Sequence, residues 1–127
     1  MRLKNFSLNI GVQIFKAFSD PSRIRILHLI FRNKEMCISD IEQILNFTQT
    51  KTSRHLTYLK NSGIVSSRST DQWVFYSINE EVFDMIDKLL SYLIKDPILK
   101  KDLDTFKVLY SNRELALNKI QSMDPKT

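Results

Sequence analysis

The sequence predicts a mostly α protein with a small β-hairpin, and three observations carry that expectation. Its 127 residues include only 2 Gly and 3 Pro, little material for tight turns or linkers, while Leu, Ile and Lys are plentiful and favour helix. Apolar residues recur at helical intervals through most of the chain. Between Ile64 and Ile78 that rhythm gives way to β-branched and aromatic residues around a polar turn. With 43% hydrophobic residues the chain can build one core, and it is too short for two ordinary domains.

From Asn9 to Phe18, Ile10, Ile14 and Ala17 share one helical face and Val12, Phe15 and Phe18 another, the pattern of a helix buried between partners. Ser19 and Asp20 offer N-caps, and Pro21 suits the first position of a second helix, where its missing N–H costs nothing. That helix turns Ile24, Leu27, Ile30 and Phe31 inward and ends near Arg32 to Lys34. Met36 to Ile38 is too short for a helix. Ser39-Asp40-Ile41-Glu42 has capping-box spacing, with the Ser39 hydroxyl accepting from the Glu42 N–H and the Glu42 carboxylate reaching back to the Ser39 N–H. A third, short helix follows and buries Ile41, Ile44 and Leu45. Asn46 and Phe47 make a turn, Thr48 caps a fourth helix running to Asn61 or Ser62, and Gly63 suits the left-handed position after it.

Ile64 to Arg68 and Trp73 to Ile78 read as a hairpin joined by Ser69-Thr70-Asp71-Gln72. Asn79 caps a fifth helix whose Glu80 and Glu81 suit the positive dipole end and whose Val82, Phe83, Ile86, Leu89, Leu90 and Leu93 form an apolar stripe. After the break at Asp96-Pro97, Leu99, Leu103, Phe106, Tyr110, Arg113, Leu117 and Ile120 recur at heptad spacing, which predicts an additional long C-terminal helix in search of a partner. Arg113 in that stripe suggests an acidic counterpart, Asp104 or Glu114 of another chain. The expected organisation is a first domain over 1–96, a C-terminal helix over 97–121 that extends a dimer or partner surface, and a disordered tail over 122–127.

The net charge of +5 is uneven: seven basic residues against four acidic over 1–47, four against one over 48–72, and eight against nine over 73–127. A basic front half fits a polyanion-binding module, and equally a solvated surface. A single cysteine, Cys37, excludes an intrachain disulfide and fits a reducing compartment. No apolar run approaches the ~20 residues that span a bilayer, so a cytoplasmic protein without a membrane partner is expected.

The third and fourth helices form a helix-turn-helix. The fourth turns Thr52, Leu56 and Leu59 inward and Gln49, Thr50, Ser53, Arg54, Thr57 and Lys60 outward, and every charged residue between Phe47 and Thr70 is basic: Lys51, Arg54, Lys60 and Arg68. Carboxylates repel phosphates, so an acid-free face suits duplex DNA. Gln49 can pair with adenine and Arg54 with guanine, while Thr50 and Ser53 can meet base edges or phosphate. Thr48, Lys51, Lys60, Arg68 and Gln72 suit the backbone. His55 bonds either a phosphate or a backbone carbonyl.

These residues carry a family resemblance. FKAFSDPSRIRILHLIF from Phe15, CISDIEQILNFTQTKTSRHLTYLKNSGIVSSR from Cys37 and QWVFYSI from Gln72 together resemble the ArsR/SmtB repressors over about residues 10 to 93. The resemblance implies a dimeric winged helix-turn-helix. Its first and fifth helices would pair through Ile10, Ile14, Phe83, Ile86, Leu90 and Leu93, joined by Phe106 and Tyr110 of the last helix. Its fourth helices would enter successive major grooves of a near-palindromic operator.

The sequence departs from that family where metals bind. Arsenic-sensing members carry a Cys-x-Cys pair at the third helix, where this chain has Cys37-Ile38-Ser39, and one thiolate cannot form a multi-sulfur shell. Zinc-sensing members place His and carboxylates on the fifth helix, which here offers Asp84 and Asp87 without His. No metal and no cofactor are expected. Cys37 reads as a buried small residue or a redox handle, His28 as a structural histidine, and Trp73, Phe75 and Tyr76 as wing packing. Without a glycine-rich phosphate loop, a nucleophile–base pair or a carboxylate pair, no enzyme is expected. The sequence thus predicts a DNA-binding repressor, released by an unidentified small-molecule or protein effector or governed by its own concentration. The alternative is a protein-interaction module working through its C-terminal helix.

Overall fold

The computed structural model describes residues 5–123, with side chains described as far as Lys119. Helix α1 spans Leu8–Ala17, with Ser7 accepting from the Ile10 N–H, and α2 spans Pro21–Asn33. Asp20 caps α2 as expected, its carboxylate accepting from the N–H groups of Ser22 at 2.7 Å and Arg23 at 3.3 Å.

The short apolar piece after α2 becomes a strand, β1 (Glu35–Cys37), too brief to be legible without its partner. It pairs antiparallel with β3 (Trp73–Ile78), whose other edge carries β2 (Val65–Thr70), giving a three-stranded sheet ordered β1-β3-β2. Helix α3 (Ile38–Leu45) starts directly at the end of β1, which corrects the expected capping box. Ser39 already lies inside the helix, Cys37 takes the cap position without a side-chain cap bond, and the Ser39 hydroxyl instead lies 3.3 Å from the Cys37 sulfur. Asn46, at φ 57°, ends α3 in the left-handed conformation that Asn tolerates.

Helix α4 (Gln49–Asn61) begins at Thr48, whose hydroxyl accepts from the Lys51 N–H, and Gly63 follows its end at φ 77°. The hairpin turn is tighter than expected. Ser69 and Thr70 join the ladder opposite Val74 and Trp73, leaving Asp71 and Gln72 as a two-residue turn with Asp71 at φ 53°.

Asn79 does not cap a helix with its side chain. Its amide donates to the Gly63 carbonyl at 2.7 Å and its other end bonds Ser66, tying the hairpin base to the end of α4. A 3-10 turn (Glu80–Val82) then leads into α5 (Phe83–Ser91).

The C-terminal heptad stripe does not form one uninterrupted helix. Helix α6 (Pro97–Ser111) is long, but the chain turns at Arg113, at φ 58°, and restarts as α7 (Ala116–Met123). The cause lies in tertiary packing. Leu115 is fully buried, and Leu99, Leu103, Phe106 and Leu109 face the same protomer's core, so the stripe meets apolar surface within its own chain. Ser122 and Met123 belong to α7, while 124–127 of the expected tail lie outside the described residues. Ile26, Leu27, Leu29 and Ile30 of α2 form the centre of the core, against Ile41, Leu56, Leu59, Ile64 and Ile86.

A candidate nucleic-acid interface

Thr48 starts α4 at the surface, and the Thr52 hydroxyl, bonded back to the Thr48 carbonyl at 2.9 Å, stays buried together with Leu56 and Leu59. The α3–α4 turn is held by Phe47. The Lys51 ammonium lies 4.0 Å from its ring centroid and the Arg25 guanidinium 5.3 Å from it.

Gln49, Thr50, Ser53, Arg54, Thr57 and Lys60 are all exposed. Arg54 has no hydrogen bond or ion pair among the described residues, so its fork is available to a ligand. The positive dipole end at the start of α4 adds to the anion-attracting character of this face.

Two expected contacts sit differently. His55 is 5% exposed, packed under the helix rather than on its outer face. Burial pushes its imidazole below the ordinary range, Asp20 pulls it back, and Arg54, Arg23 and Lys51 push it further down. Arg68 spends both arms of its guanidinium on Glu35 of β1, at 2.7 and 2.8 Å, and lies over the Phe75 ring. Lys60 donates to the Ser67 hydroxyl at 2.8 Å, bracing α4 against β2, and Gln72 stands exposed at the wing tip beside Asp71.

Sequence reasoning missed Arg23 and Tyr58 here: the guanidinium carbon lies 4.2 Å from the ring centroid. The Arg-aromatic pairing across two helices has no local signature.

Among the residues expected at a dimer surface, Ile14, Ile86 and Leu90 are buried inside the protomer. Ile10, Phe83, Leu93 and Tyr110 remain exposed, and Phe106 is half-buried and stacked on Tyr110. Larger exposed apolar side chains flank them, with Phe15 at 67% and Tyr92 at 85%.

Among the described residues no three His, Cys, Asp or Glu side chains gather as a metal-binding group. Cys37 is buried, and the position two residues on is a hydroxyl, so the start of α3 does not fit a soft metal ion. No described helix is long and apolar enough to cross a membrane.

Two helices joined by a tight turn, backed by a three-stranded wing, with a basic outer face on the second helix, define a winged helix-turn-helix transcriptional regulator. A family model described as bacterial regulatory protein, arsR family, matches residues 20–67, from the α2 cap into β2. The transcriptional repressor SdpR of Bacillus subtilis is 35% identical over 83 residues, 65% of this chain and 91% of SdpR. The chain belongs to the arsR family. The arsenic resistance transcriptional regulator ArsR1 of Pseudomonas putida is 36% identical over 81 residues, 64% of this chain but only 63% of ArsR1's own length. Among solved structures, HlyU from Vibrio cholerae superposes with a TM-score of 0.64 at 28% identity, over 71% of this chain and 100% of HlyU. The homodimeric DNA-binding domain of Mb0332 from Mycobacterium bovis has the same fold, with a TM-score of 0.63 at 22% identity over 73% of this chain and 92% of that one.

Proposed function

We propose that this protein is a homodimeric repressor that binds a specific duplex DNA operator through α4. The single observation that carries the reading is the exposed, acid-free outer face of α4, with Gln49, Thr50, Ser53 and Arg54 near its start and Arg54 unpaired among the described residues. Helices of this kind meet base edges with their N-terminal residues. Gln49 reads adenine and Arg54 guanine, Thr50 and Ser53 complete the contact, and Thr48, Lys51 and Lys60 hold phosphates. The wing contributes through Gln72, and through Arg68 once it leaves Glu35.

Exposed apolar side chains on α1 (Ile10, Val12 and Phe15), on α5 (Phe83) and just beyond the end of α5 (Leu93) support pairing of two copies through these helices. A cytoplasmic location accords with operator binding. The protein-interaction reading has less to stand on, because Leu99, Leu103, Phe106 and Leu117 of the stripe it needs are buried or packed against the chain's own core.

Selection of bound sequences from a random DNA pool, followed by gel shifts across salt concentrations, tests the reading. A selected sequence and an affinity that falls steeply with salt are expected. Replacing Gln49, Ser53 and Arg54 together with Ala must abolish the sequence preference; unchanged affinity and salt slope would remove the site.

A further inference from the structure

Arg23, in the first turn of α2, touches three elements with one side chain. Its Nε donates to the Ala17 carbonyl at 3.0 Å and its Nη2 to the Lys16 carbonyl at 2.9 Å, both at the C-terminal end of α1, where the Lys16 carbonyl also accepts from the Ser19 N–H and hydroxyl. A third arm lies 3.8 Å from the cap residue Asp20. The flat of the guanidinium covers the Tyr58 ring on α4. Tyr58 lies one helical turn beyond Arg54, on the flank of α4 that meets α2, beside the residues of the proposed reading face.

The consequence is mechanical. Helix α1 presents Ile10, Val12 and Phe15 outward, and α4 presents the base-reading side chains. A planar fork with fixed donor directions ties the end of one to the flank of the other, which a point-like ammonium cannot reproduce. A cation also suits the negative end of the α1 dipole.

We propose that Arg23 is a positioning residue that fixes the recognition helix relative to the face through which two copies pair, and so sets the half-site spacing the dimer accepts. This rests on the DNA-binding reading above. Two recognition helices held rigidly by one dimer face fit half-sites at one separation, about one helical turn of DNA. A looser tie between α1 and α4 admits several separations and binds each less tightly.

The test uses the full chain as wild type, Arg23→Lys, Tyr58→Leu and Tyr58→Phe. The probes are the duplex that wild type selects from a random pool, versions with base pairs inserted between its half-sites, and a duplex with one half-site only. Arg23→Lys and Tyr58→Leu are expected to lose about tenfold on the selected duplex and to discriminate less among spacings. Their dimer mass by sedimentation and their single-half-site affinity should hold, and Tyr58→Phe, which keeps the ring, should behave as wild type. Wild-type spacing preference in both Arg23→Lys and Tyr58→Leu, or an equal loss on the single half-site, would overturn the proposal. A wild-type protein that selects no sequence would overturn the DNA-binding reading itself. If Arg23→Lys fails to fold, the Tyr58 pair decides the matter alone, since that ring is partly exposed.

Discussion

The carboxylate of Asp40, on α3, accepts the backbone N–H of Ala116 at 2.7 Å and of Leu117 at 3.1 Å, so the start of α7 is capped by a residue 76 positions earlier. Helix starts leave such donors without intrahelical partners, and an anion there also meets the positive dipole end. Ala116 covers Cys37 and Phe75 at the same junction, so this contact joins the C-terminal segment to the first helix of the helix-turn-helix and to the sheet.

Asp40→Ala should therefore destabilise the fold by about 1 to 3 kcal/mol, the usual cost of leaving buried donors unpaired. The pH dependence has a definite sign. Burial pushes the Asp40 carboxyl above its ordinary 3.8, outweighing the two N–H bonds and Lys119, which pull it down. A raised folded value means the native state binds the proton more tightly than the unfolded chain. This group's contribution is then greatest below about 3.8 and declines as pH rises through the folded value. Urea unfolding at several acidic pH values checks both points: the wild type should show this decline and Asp40→Ala should lack it.

Arg25 and Asp102 tie α2 to α6 by two hydrogen bonds of 2.9 Å each, and the Asp102 side chain is 4% exposed against 28% for Arg25. Removing one partner of a fully buried pair costs about 3 to 5 kcal/mol; because Arg25 reaches solvent, Asp102→Ala should cost about 2 to 3 kcal/mol. Arg25 also faces Phe47, so amides of the α3–α4 turn, such as the Phe47 N–H bonded to the Glu42 carbonyl, should exchange faster in that variant. Unaltered exchange there would mean that α6 does not support the turn.

The elements legible in the sequence are those whose boundaries are set locally. Asp20-Pro21 starts α2, Thr48 starts α4 and Gly63 follows it because caps and left-handed positions depend on neighbouring residues alone. The failures have distant causes. The Ser39–Glu42 spacing matches a capping box, yet β1, paired with β3, delivers the chain into α3 two residues earlier. The heptad stripe was real, but Leu115 and the distant Asp40 determine that α6 stops and α7 begins. The outer face of α4 followed from periodicity, whereas the pairing of Arg68 with Glu35, 33 residues upstream, required the sheet.

Arg54→Ala should lose about 1 to 3 kcal/mol of specific binding and relax the preference at one base position. Lys60→Ala should weaken all sequences alike and lower the salt slope by about one. Glu35→Gln should strengthen binding, because it frees the Arg68 guanidinium for phosphate and removes a carboxylate beside it. Gel shifts at several salt concentrations separate the three, and a weaker complex for Glu35→Gln would exclude Arg68 from the interface.

Zinc, cadmium or arsenite at stoichiometric amounts should not release the protein from its selected DNA. Cys37 is 1% exposed and the residue two positions on is Ser39, so a metal ion arriving at the start of α3 finds one enclosed sulfur and a hydroxyl. Fluorescence anisotropy of a labelled duplex measures this directly, and metal-dependent release that persists in Cys37→Ala would locate a site elsewhere.

His28, on α2, is 3% exposed, and neither ring nitrogen has a hydrogen-bond partner among the described residues. It lines a cavity of about 50 Å³ with Phe31, Arg32, Asp87, Leu90, Ser91 and Ile94, between α2 and α5. Burial pushes the imidazole below its ordinary 6.5; the Arg32 charge pushes it further, and Asp102 pulls it back. The unfolded chain therefore takes up the proton first, and stability should fall as pH drops from about 6.5 towards the depressed folded value, by at most about 1.4 kcal/mol per pH unit for one proton. His55 titrates in the same direction, so His28→Leu should lessen this slope without abolishing it, and combining it with His55→Leu should flatten the range further. Thermal unfolding between pH 7.5 and 5 measures the effect; a slope unchanged in His28→Leu would mean that the buried ring is hydrated and gains its proton in the native state as readily as in the unfolded chain.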